Sequence, residues 1–343
     1  MRGIKMKTFS IKNKVFLLTI FLILFVAGCS NSNESSGESK EPNKDEKDEK
    51  ITLTIGDISA AEMIAPMDVA IEKGFFEEEG IIIEKKVFAN GPTLMMSMAN
   101  GDVDVAVKTG YTPMLQAASQ GADIMIVASM AKNNAPVVAR GDIKSFKDLD
   151  GKIIGTPGIG TIQNTMLSVA EAEYGIKFKQ HIHAKVTDLP TLLEKGEIDG
   201  FTSWEWVAAD AVNRIDGAHY VLENPVIENA ESVGLAFNGD IYRENKEVVK
   251  KFLKAYLRGI EFFTENNKES IDSIAKKIGK PNEVIETALK AVNMENPKID
   301  MPSVKFAVED AIATGKISKA EVPDVDKFME KYIDNTILDQ LKP

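Results

Sequence analysis

From Ile51 onward, short runs of apolar residues alternate with longer stretches in which apolar residues recur at helical spacing. This alternation is typical of βαβ units and favours a largely parallel sheet. A first helix is predicted over 63–79, ended by Gly80, where a left-handed conformation is needed. The apolar runs predict nine strands, at 51–56, 81–88, 103–108, 123–128, 152–155, 183–186, 200–204, 220–222 and 232–237.

Beyond about residue 240 the predicted strands stop and the pattern becomes helical. Apolar residues recur with helical periodicity over 248–263, 284–292 and 325–338. Extended segments near 135–140 and 232–238 flank the second block of βαβ units, so we expect the chain to cross between two α/β lobes there. We predict that residues 51–138 and 234–343 form lobe 1, that residues 139–233 form lobe 2, and that a hinge joins them.

The first 50 residues carry targeting features. A basic start precedes an apolar run over 15–28, which is too short for a comfortable membrane span and is typical of a signal peptide. The sequence Val26-Ala27-Gly28-Cys29 resembles the bacterial lipobox, which implies removal of residues 1–28 and attachment of lipid to Cys29. An ordinary secretory signal with an incidental cysteine is the alternative. The stretch 29–50 has no apolar residue after its cysteine, so we predict a disordered tether on the extracytoplasmic face of the cell membrane.

Charge and composition exclude several classes of function. Removal of residues 1–28 takes away five basic residues and no acidic one, which leaves 36 Lys and Arg against 52 Asp and Glu, a net charge of −16. A chain this acidic does not bind nucleic acid through its overall field. The single cysteine, Cys29, excludes an intrachain disulfide and a multi-cysteine metal site. The sequence contains no HExxH, GxSxG or P-loop pattern. We therefore expect no metal, no cofactor and no catalysis.

A series of motifs in a fixed order resembles one family. These are GFFEEEGI at 74–81, GPT at 91–93, ANGDVDVA at 99–106, GYTP at 110–113, GADI at 121–124, DLDGKIIGTPG at 148–158 and LEKGEIDG at 193–200. They resemble the solute-binding proteins of ABC importers for nitrate, sulfonates, taurine and thiamine-pyrimidine precursors, and the resemblance covers residues 51 to about 240. It implies the type II periplasmic-binding-protein fold, an α/β fold of two lobes around a hinged cleft. Family members commonly have Trp-Glu-Pro where this chain has Trp204-Glu205-Trp206, so we expect that loop to differ in shape.

The glycine-rich segment 155–163 is the first candidate for ligand contact. In open α/β sheets, ligands bind beyond the carboxyl ends of the strands, and this segment follows a predicted strand and opens a helix. Its glycines allow a close approach, and its free N–H groups suit an anionic or polar group. The candidates are Gly158, Gly160, Thr161 and Gln163; the alternative for Thr161 is a simple helix cap.

Two further segments follow predicted strands. Trp204 offers an indole face for a flat ligand, and Glu205 would accept hydrogen bonds from an amine or amino-pyrimidine. A structural tryptophan wedged at the hinge is the alternative. Ser59, after the first strand, is a weaker candidate for a contact that caps the ligand.

On the lobe 1 side, Lys108, Tyr111 and Thr112 lie at or after the end of a strand. A cation at Lys108 would offset the charge of a sulfonate, nitrate or carboxylate, whereas the alternative is a lysine that extends to the surface. Tyr111 would stack on a flat ligand, and its alternative is a packing contact between the lobes.

The sequence thus predicts a lipid-anchored, monomeric receptor that closes on a small nitrogen- or sulfur-containing solute and delivers it to the permease and ATPase subunits of an ABC importer. A sulfonate, nitrate or taurine-like ligand would use Thr161, the neighbouring amides and Lys108. A thiamine-pyrimidine-type heterocycle, the alternative, would use Trp204, Tyr111 and Glu205. A ligand-sensing partner of a membrane signalling protein, or an enzyme similar to pyrimidine-precursor synthases, would use the same fold.

Overall fold

A computed structural model of the chain describes residues 50–58, 64–159, 161–223 and 229–341. The predicted signal peptide, the predicted lipid-attachment site Cys29 and the predicted tether up to residue 49 lie outside these ranges, as do Ser59 and Gly160. Within the ranges, no helix combines the length and the apolar character needed to cross a membrane.

The described residues form two five-stranded sheets with the same design. The first has the order β2-β1-β3-β10-β4 and the second the order β7-β6-β8-β5-β9. Neighbours are parallel except at β10 and β5, each of which is antiparallel to both of its neighbours. The strands are β1 Ile51–Ile58, β2 Ile81–Phe88, β3 Val105–Gly110, β4 Ile124–Lys132, β5 Val137–Ala139, β6 Ile153–Thr156, β7 Gln180–His183, β8 Gly200–Thr202, β9 His219–Leu222 and β10 Glu231–Asn238.

Helices cover both faces of the first sheet. One face packs against α1, α9, α10 and α11, and the other against α3, α4, α12 and α13, so the C-terminal helices complete lobe 1. The helices are α1 Pro66–Glu72, α2 Phe75–Glu78, α3 Gly91–Ala99, α4 Tyr111–Ser119, α5 Ile162–Tyr174, α6 Leu189–Glu194, α7 Val207–Arg214, α8 Gly239–Glu244, α9 Lys246–Glu265, α10 Asn267–Ile278, α11 Asn282–Ala291, α12 Met301–Ala313, α13 Val325–Tyr332 and α14 Thr336–Leu341.

The chain crosses between the lobes twice, and each crossing leads into an antiparallel strand. Residues 133–136 join β4 of the first sheet to β5 of the second, and residues 223–230 join β9 to β10. The two crossings are hydrogen-bonded to each other, because Asn133 N donates to the Ala230 carbonyl at 2.9 Å and Asn134 N donates to Ser232 Oγ at 2.9 Å. The boundaries predicted at 138/139 and 233/234 fall inside β5 and β10, a few residues beyond these crossings.

Local differences from the sequence pattern have local causes. The predicted helix over 63–79 is divided into α1 and α2, because Gly74 adopts φ 75° between them, and α1 begins at Pro66, whose fixed φ suits a first turn. The strand predicted at 183–186 is β7, three residues earlier, where it pairs in parallel with β6. The single helix predicted over 325–338 is divided into α13 and α14. Strand β5 lies within the extended segment predicted near 135–140, and the helices α10 and α12 were not predicted.

Candidate functional site

The ends of strands from both sheets border the first crossing. Strand β10 begins beside the end of β3, where Val233 pairs with Gly110, and β5 begins beside the end of β8, where Val137 pairs with Thr202. The segments that follow β3 and β8 therefore lie next to residues 133–136. This is the place where the chemistry of the two lobes can meet on one ligand.

On the lobe 1 side, Tyr111 and Thr112 form the start of α4 and are buried. The Tyr111 ring packs so close to β10 that a Cβ at Gly234 would lie 3.0 Å from its Cε2. Its hydroxyl has no hydrogen-bond partner among the described residues. Burial and, to a lesser extent, the charge and proximity of the Glu231 carboxyl raise the pKa of Tyr111 well above its usual value. The Tyr111 ring is thus buried and offers no open face for a flat ligand to stack on.

Lys108 lies in an ion cluster on the face of the first sheet that packs against α1. Its side chain is 2% exposed, and its Nζ is 2.7 Å from Asp68 Oδ2 and 3.4 Å from Asp57 Oδ2. Lys85 and Lys277 also contact Asp68, at 3.0 and 2.7 Å, and Lys85 contacts Asp57. Burial works against ionisation of Asp68, but the ammonium groups of Lys108 and Lys277 outweigh it and hold its pKa far below the usual range. The two carboxylates account for the charge of Lys108 without a ligand.

On the lobe 2 side, Thr161 caps helix α5. Its Oγ1 accepts from Asn164 N at 3.3 Å and donates to the Gly158 carbonyl at 2.7 Å. Gly158 has φ 124°, a conformation that glycine adopts readily, and its N–H donates to Thr156 Oγ1 at 3.1 Å. The Thr161 hydroxyl is therefore engaged within its own turn. Gln163, in the first turn of α5, is fully buried and faces the first crossing, where its Nε2 donates to the Asn134 carbonyl at 3.4 Å.

After β8 the chain places Trp204 and Glu205 beside the crossings. Trp204 is half-buried and packs against a small cluster formed by Ala135, Ile162, Met166 and Ala230. Glu205 is 1% exposed and accepts from Tyr220 OH at 2.9 Å and Ala209 N at 3.1 Å. Burial raises the pKa of Glu205 to about 7, although these two hydrogen bonds oppose the rise. A carboxyl group in this state gives or takes a proton near neutral pH.

Trp206 follows Glu205 in the loop after β8. The Glu205–Trp206 peptide bond is cis. The Trp206 side chain packs against the cores of both lobes, and the Lys280 ammonium lies 5.3 Å from the centre of its ring. Lys280 also pairs with Asp210 of α7 at 2.9 Å, so this region joins lobe 2 to the C-terminal helices.

Asn134 lies on the first crossing and Glu231 is the first residue of β10, and neither is among the residues singled out from the sequence. The Asn134 Oδ1 accepts from Glu205 N at 2.7 Å. Glu231 accepts from Ser129 Oγ at 2.5 Å and from Asp300 N at 2.7 Å, and it lies 3.5 Å from the Lys132 ammonium. Burial, opposed mainly by Lys132, raises the pKa of Glu231 to about 7. The one sequence signal was the polar pair 133–134 directly after an apolar strand.

Several buried polar atoms near the crossings have no partner among the described residues. On the lobe 2 side these are Gln163 Oε1, Thr202 Oγ1 and Ser203 Oγ. On the lobe 1 side the Tyr111 hydroxyl is in the same state. Buried polar atoms normally find a partner, so these unpaired atoms on both sides of the crossings can be satisfied by a polar ligand or by water.

Elsewhere, a surface groove of about 680 Å³ lies between α3 and α4 and is lined by residues that include Pro92, Met96, Pro113 and Asp123. It contains none of the candidate residues. In the described ranges no three His, Cys, Asp or Glu side chains are grouped as metal ligands.

Comparison with known proteins supplies the family. Residues 62–270 match the family described as NMT1/THI5 like. The chain belongs to this family. The resemblance stated from the motifs is therefore confirmed, and curated relatives extend it over most of the chain. The taurine-binding periplasmic protein of Escherichia coli is 25% identical over 82% of this chain and 91% of its own. The formylaminopyrimidine-binding protein of Halalkalibacterium halodurans is 27% identical over 85% of this chain and 88% of its own.

Solved structures give the fold. The periplasmic nitrate-binding protein of Synechocystis matches with a TM-score of 0.71 at 15% identity, over 85% of this chain and 88% of its own. The periplasmic aliphatic sulphonate binding protein of Escherichia coli matches with a TM-score of 0.68 at 17% identity, over 78% of this chain and 94% of its own. The predicted two-lobed periplasmic-binding-protein fold is confirmed. The relatives and neighbours named here are binding proteins and not enzymes.

Proposed function

We propose that this chain is the solute-binding receptor of an ABC importer, anchored by lipid at Cys29 on the extracytoplasmic face of the cell membrane, and that it closes on one small solute. Family membership supports the receptor role, and the lipobox-like sequence supports the anchor. The mechanism is domain closure. A solute that contacts both walls favours the closed state by its differential affinity, and the permease then recognises that state.

We propose further that the solute is a flat, uncharged, nitrogen-containing molecule of the amino-pyrimidine type. The observation that carries this choice is the engagement of Lys108 with Asp57 and Asp68. A free cation would favour a sulfonate or nitrate, but Lys108, at the end of β3, is already paired with two carboxylates. The groups left over near the crossings are neutral hydroxyls and an amide, together with the Trp204 ring and the Glu205 carboxyl.

An anionic solute of the sulfonate or nitrate class is the second candidate. The N-terminus of α5 favours it, because the first N–H groups of a 13-residue helix point away from the helix and attract negative charge. The two candidates predict different ligands for the same receptor.

Calorimetric titration and thermal shift would separate them, with a form that begins at residue 30 and 4-amino-2-methylpyrimidine, taurine, methanesulfonate and nitrate as ligands. Binding to the native state raises its stability by mass action. We expect the pyrimidine to bind and Trp204→Ala to weaken it by about 1–3 kcal/mol, as loss of a stacking face does. Met96→Ala, on the exposed α3 surface, is the matched control. Binding of the anions alone would overturn the choice of solute, and binding of none would overturn this ligand set altogether.

The anchor has a separate test. Expression of the full chain in a bacterium with labelled fatty acid is expected to label the wild type and leave Cys29→Ser unlabelled. The Cys29→Ser protein is then expected in the soluble extracytoplasmic fraction. Equal labelling of both proteins, or no labelling of the wild type, would contradict lipid attachment at Cys29.

A further inference from the structure

We propose that Gln163 is the residue that selects the solute, because it presents a fixed, buried hydrogen-bond acceptor that requires an N–H donor from the ligand and disfavours ligands that carry only acceptor oxygens. The inference rests on the proposed receptor function and deepens it. It assigns to the wall of lobe 2 a chemical preference for a ligand edge such as an amidine or an amino-pyrimidine.

The orientation of the Gln163 amide follows from its partner. Its Nε2 donates to the Asn134 carbonyl at 3.4 Å, and a carbonyl oxygen can only accept, so the nitrogen must face the crossing. The Oε1 is therefore left to accept from another donor. It is fully buried and has no donor among the described residues.

Asn134 is itself held in place, which keeps this orientation fixed. Its N–H donates to Ser232 Oγ at 2.9 Å, and its Oδ1 accepts from Glu205 N at 2.7 Å. Rotation of the Gln163 amide would place its oxygen against the Asn134 carbonyl oxygen, and two acceptors repel each other. Asn134 therefore acts as a positioning residue for Gln163.

Strand β8, which contacts α5, contributes hydroxyl groups that can donate or accept. Ser203 Oγ and Thr202 Oγ1 are buried and unpaired on the neighbouring β8 segment. A hydroxyl donates or accepts as the ligand requires, whereas Oε1 can only accept. A ligand edge with an NH₂ group next to a ring nitrogen satisfies both kinds of group. A sulfonate or nitrate would place acceptor against acceptor at Oε1.

Such a site is highly selective, because a mismatch leaves a buried polar group without a hydrogen-bond partner. A site built to pair with a substrate N–H rejects an analogue that lacks it, since its own polar group is then left unpaired. We expect the wild type to bind 4-amino-2-methylpyrimidine roughly 10- to 100-fold more tightly than 2-methylpyrimidine, which lacks the amino group.

The test compares these two pyrimidines and methanesulfonate on the form beginning at residue 30, by calorimetric titration. Gln163→Met keeps the length of the side chain and removes the acceptor, and we expect it to reduce the preference for the amino compound to about threefold or less. Gln120→Met, on the exposed end of α4, is the matched control and is expected to keep the full preference. Circular dichroism confirms that each variant is folded.

Ser203→Ala is the second variant, because it removes an unpaired hydroxyl and is expected to fold normally. We expect it to weaken binding of the amino-pyrimidine by about 3- to 10-fold, since one partner of the ligand is lost. Retention of the full preference in Gln163→Met would overturn the inference while leaving the receptor function in place. If that variant does not fold, undiminished binding of the amino-pyrimidine to Ser203→Ala would overturn it. Tight binding of methanesulfonate and no binding of either pyrimidine would overturn the proposed solute class as well.

Discussion

Replacement of Lys108 by methionine separates a structural lysine from a ligand-binding one. The side chain is 2% exposed, with its ammonium 2.7 Å from Asp68 and 3.4 Å from Asp57. Removal of one partner from a buried ion pair costs about 3–5 kcal/mol, because an uncompensated charge stays behind. Here Lys85 and Lys277, each about one-third exposed, still contact Asp68. We therefore expect a smaller loss, about 2–3 kcal/mol in the free energy of unfolding.

Urea unfolding followed by circular dichroism measures this loss, and its pH dependence tests the cause. The pKa of Asp68 is depressed in the folded protein, so its contribution to stability is present above the unfolded carboxyl pKa near ~4 and is lost as the pH falls. The difference between wild type and Lys108→Met should therefore narrow below about pH 4. The affinity for any bound solute should change by less than about threefold. An unchanged unfolding free energy together with a 30-fold loss of affinity would refute the reasoning and show that Lys108 binds the ligand.

Three further changes test other parts of the structure. Thr161→Ala should lower the free energy of unfolding by about 1 kcal/mol, because the cap of α5 is lost. Ligand affinity, measured by calorimetric titration, should not change. A loss of affinity without a loss of stability would show that the hydroxyl binds ligand. Burial raises the pKa of Glu205 to about 7, so its contribution to stability is present below about pH 4 and is lost as the pH rises through 7. Glu205→Gln should then flatten the fall in stability measured by urea unfolding at pH 5 and pH 8, and an unaltered slope would argue against a buried carboxyl. Gly259→Ala should lower the free energy of unfolding by roughly 1–2 kcal/mol in the same assay. The added methyl would overlap the Pro66 carbonyl and lie 2.8 Å from Ala70 Cβ. An increase in stability would show that α9 and α1 can separate to make room for it.

The elements that could be predicted from the sequence are those with a local signal. Nine of the ten strands overlap a predicted strand, because a run of apolar residues or a regular alternation can be read without knowledge of the pairing partners. Strand β5 has three residues, and its place is decided by pairing with β8 and β9, which are distant in the chain. The predicted β7 was displaced for the same reason, because β6 sets its register.

The contacts at the candidate site were even harder to predict from the sequence than the strands. Lys108 could be recognised as a cation at the end of an apolar strand, but Asp68 is 40 positions away and Lys277 is 209 positions from Asp68. Asn134 and Glu205 are 71 positions apart and meet only because the chain crosses twice. Charge compensation and amide orientation are properties of the folded neighbourhood, so no spacing in the sequence could reveal them.

The place of β10 in the first sheet has a consequence for how the protein acquires its structure during synthesis. β10 lies between β3 and β4, and it is made about a hundred residues after them. The central pairing of lobe 1 must therefore wait until residue 238 has emerged, whereas the second sheet is built from one continuous stretch, 137–222. Long-range strand pairing is slow because the loop must close before any contact is gained. The unfinished first sheet, with two open strand edges, is thus the form of this chain that most needs protection from aggregation.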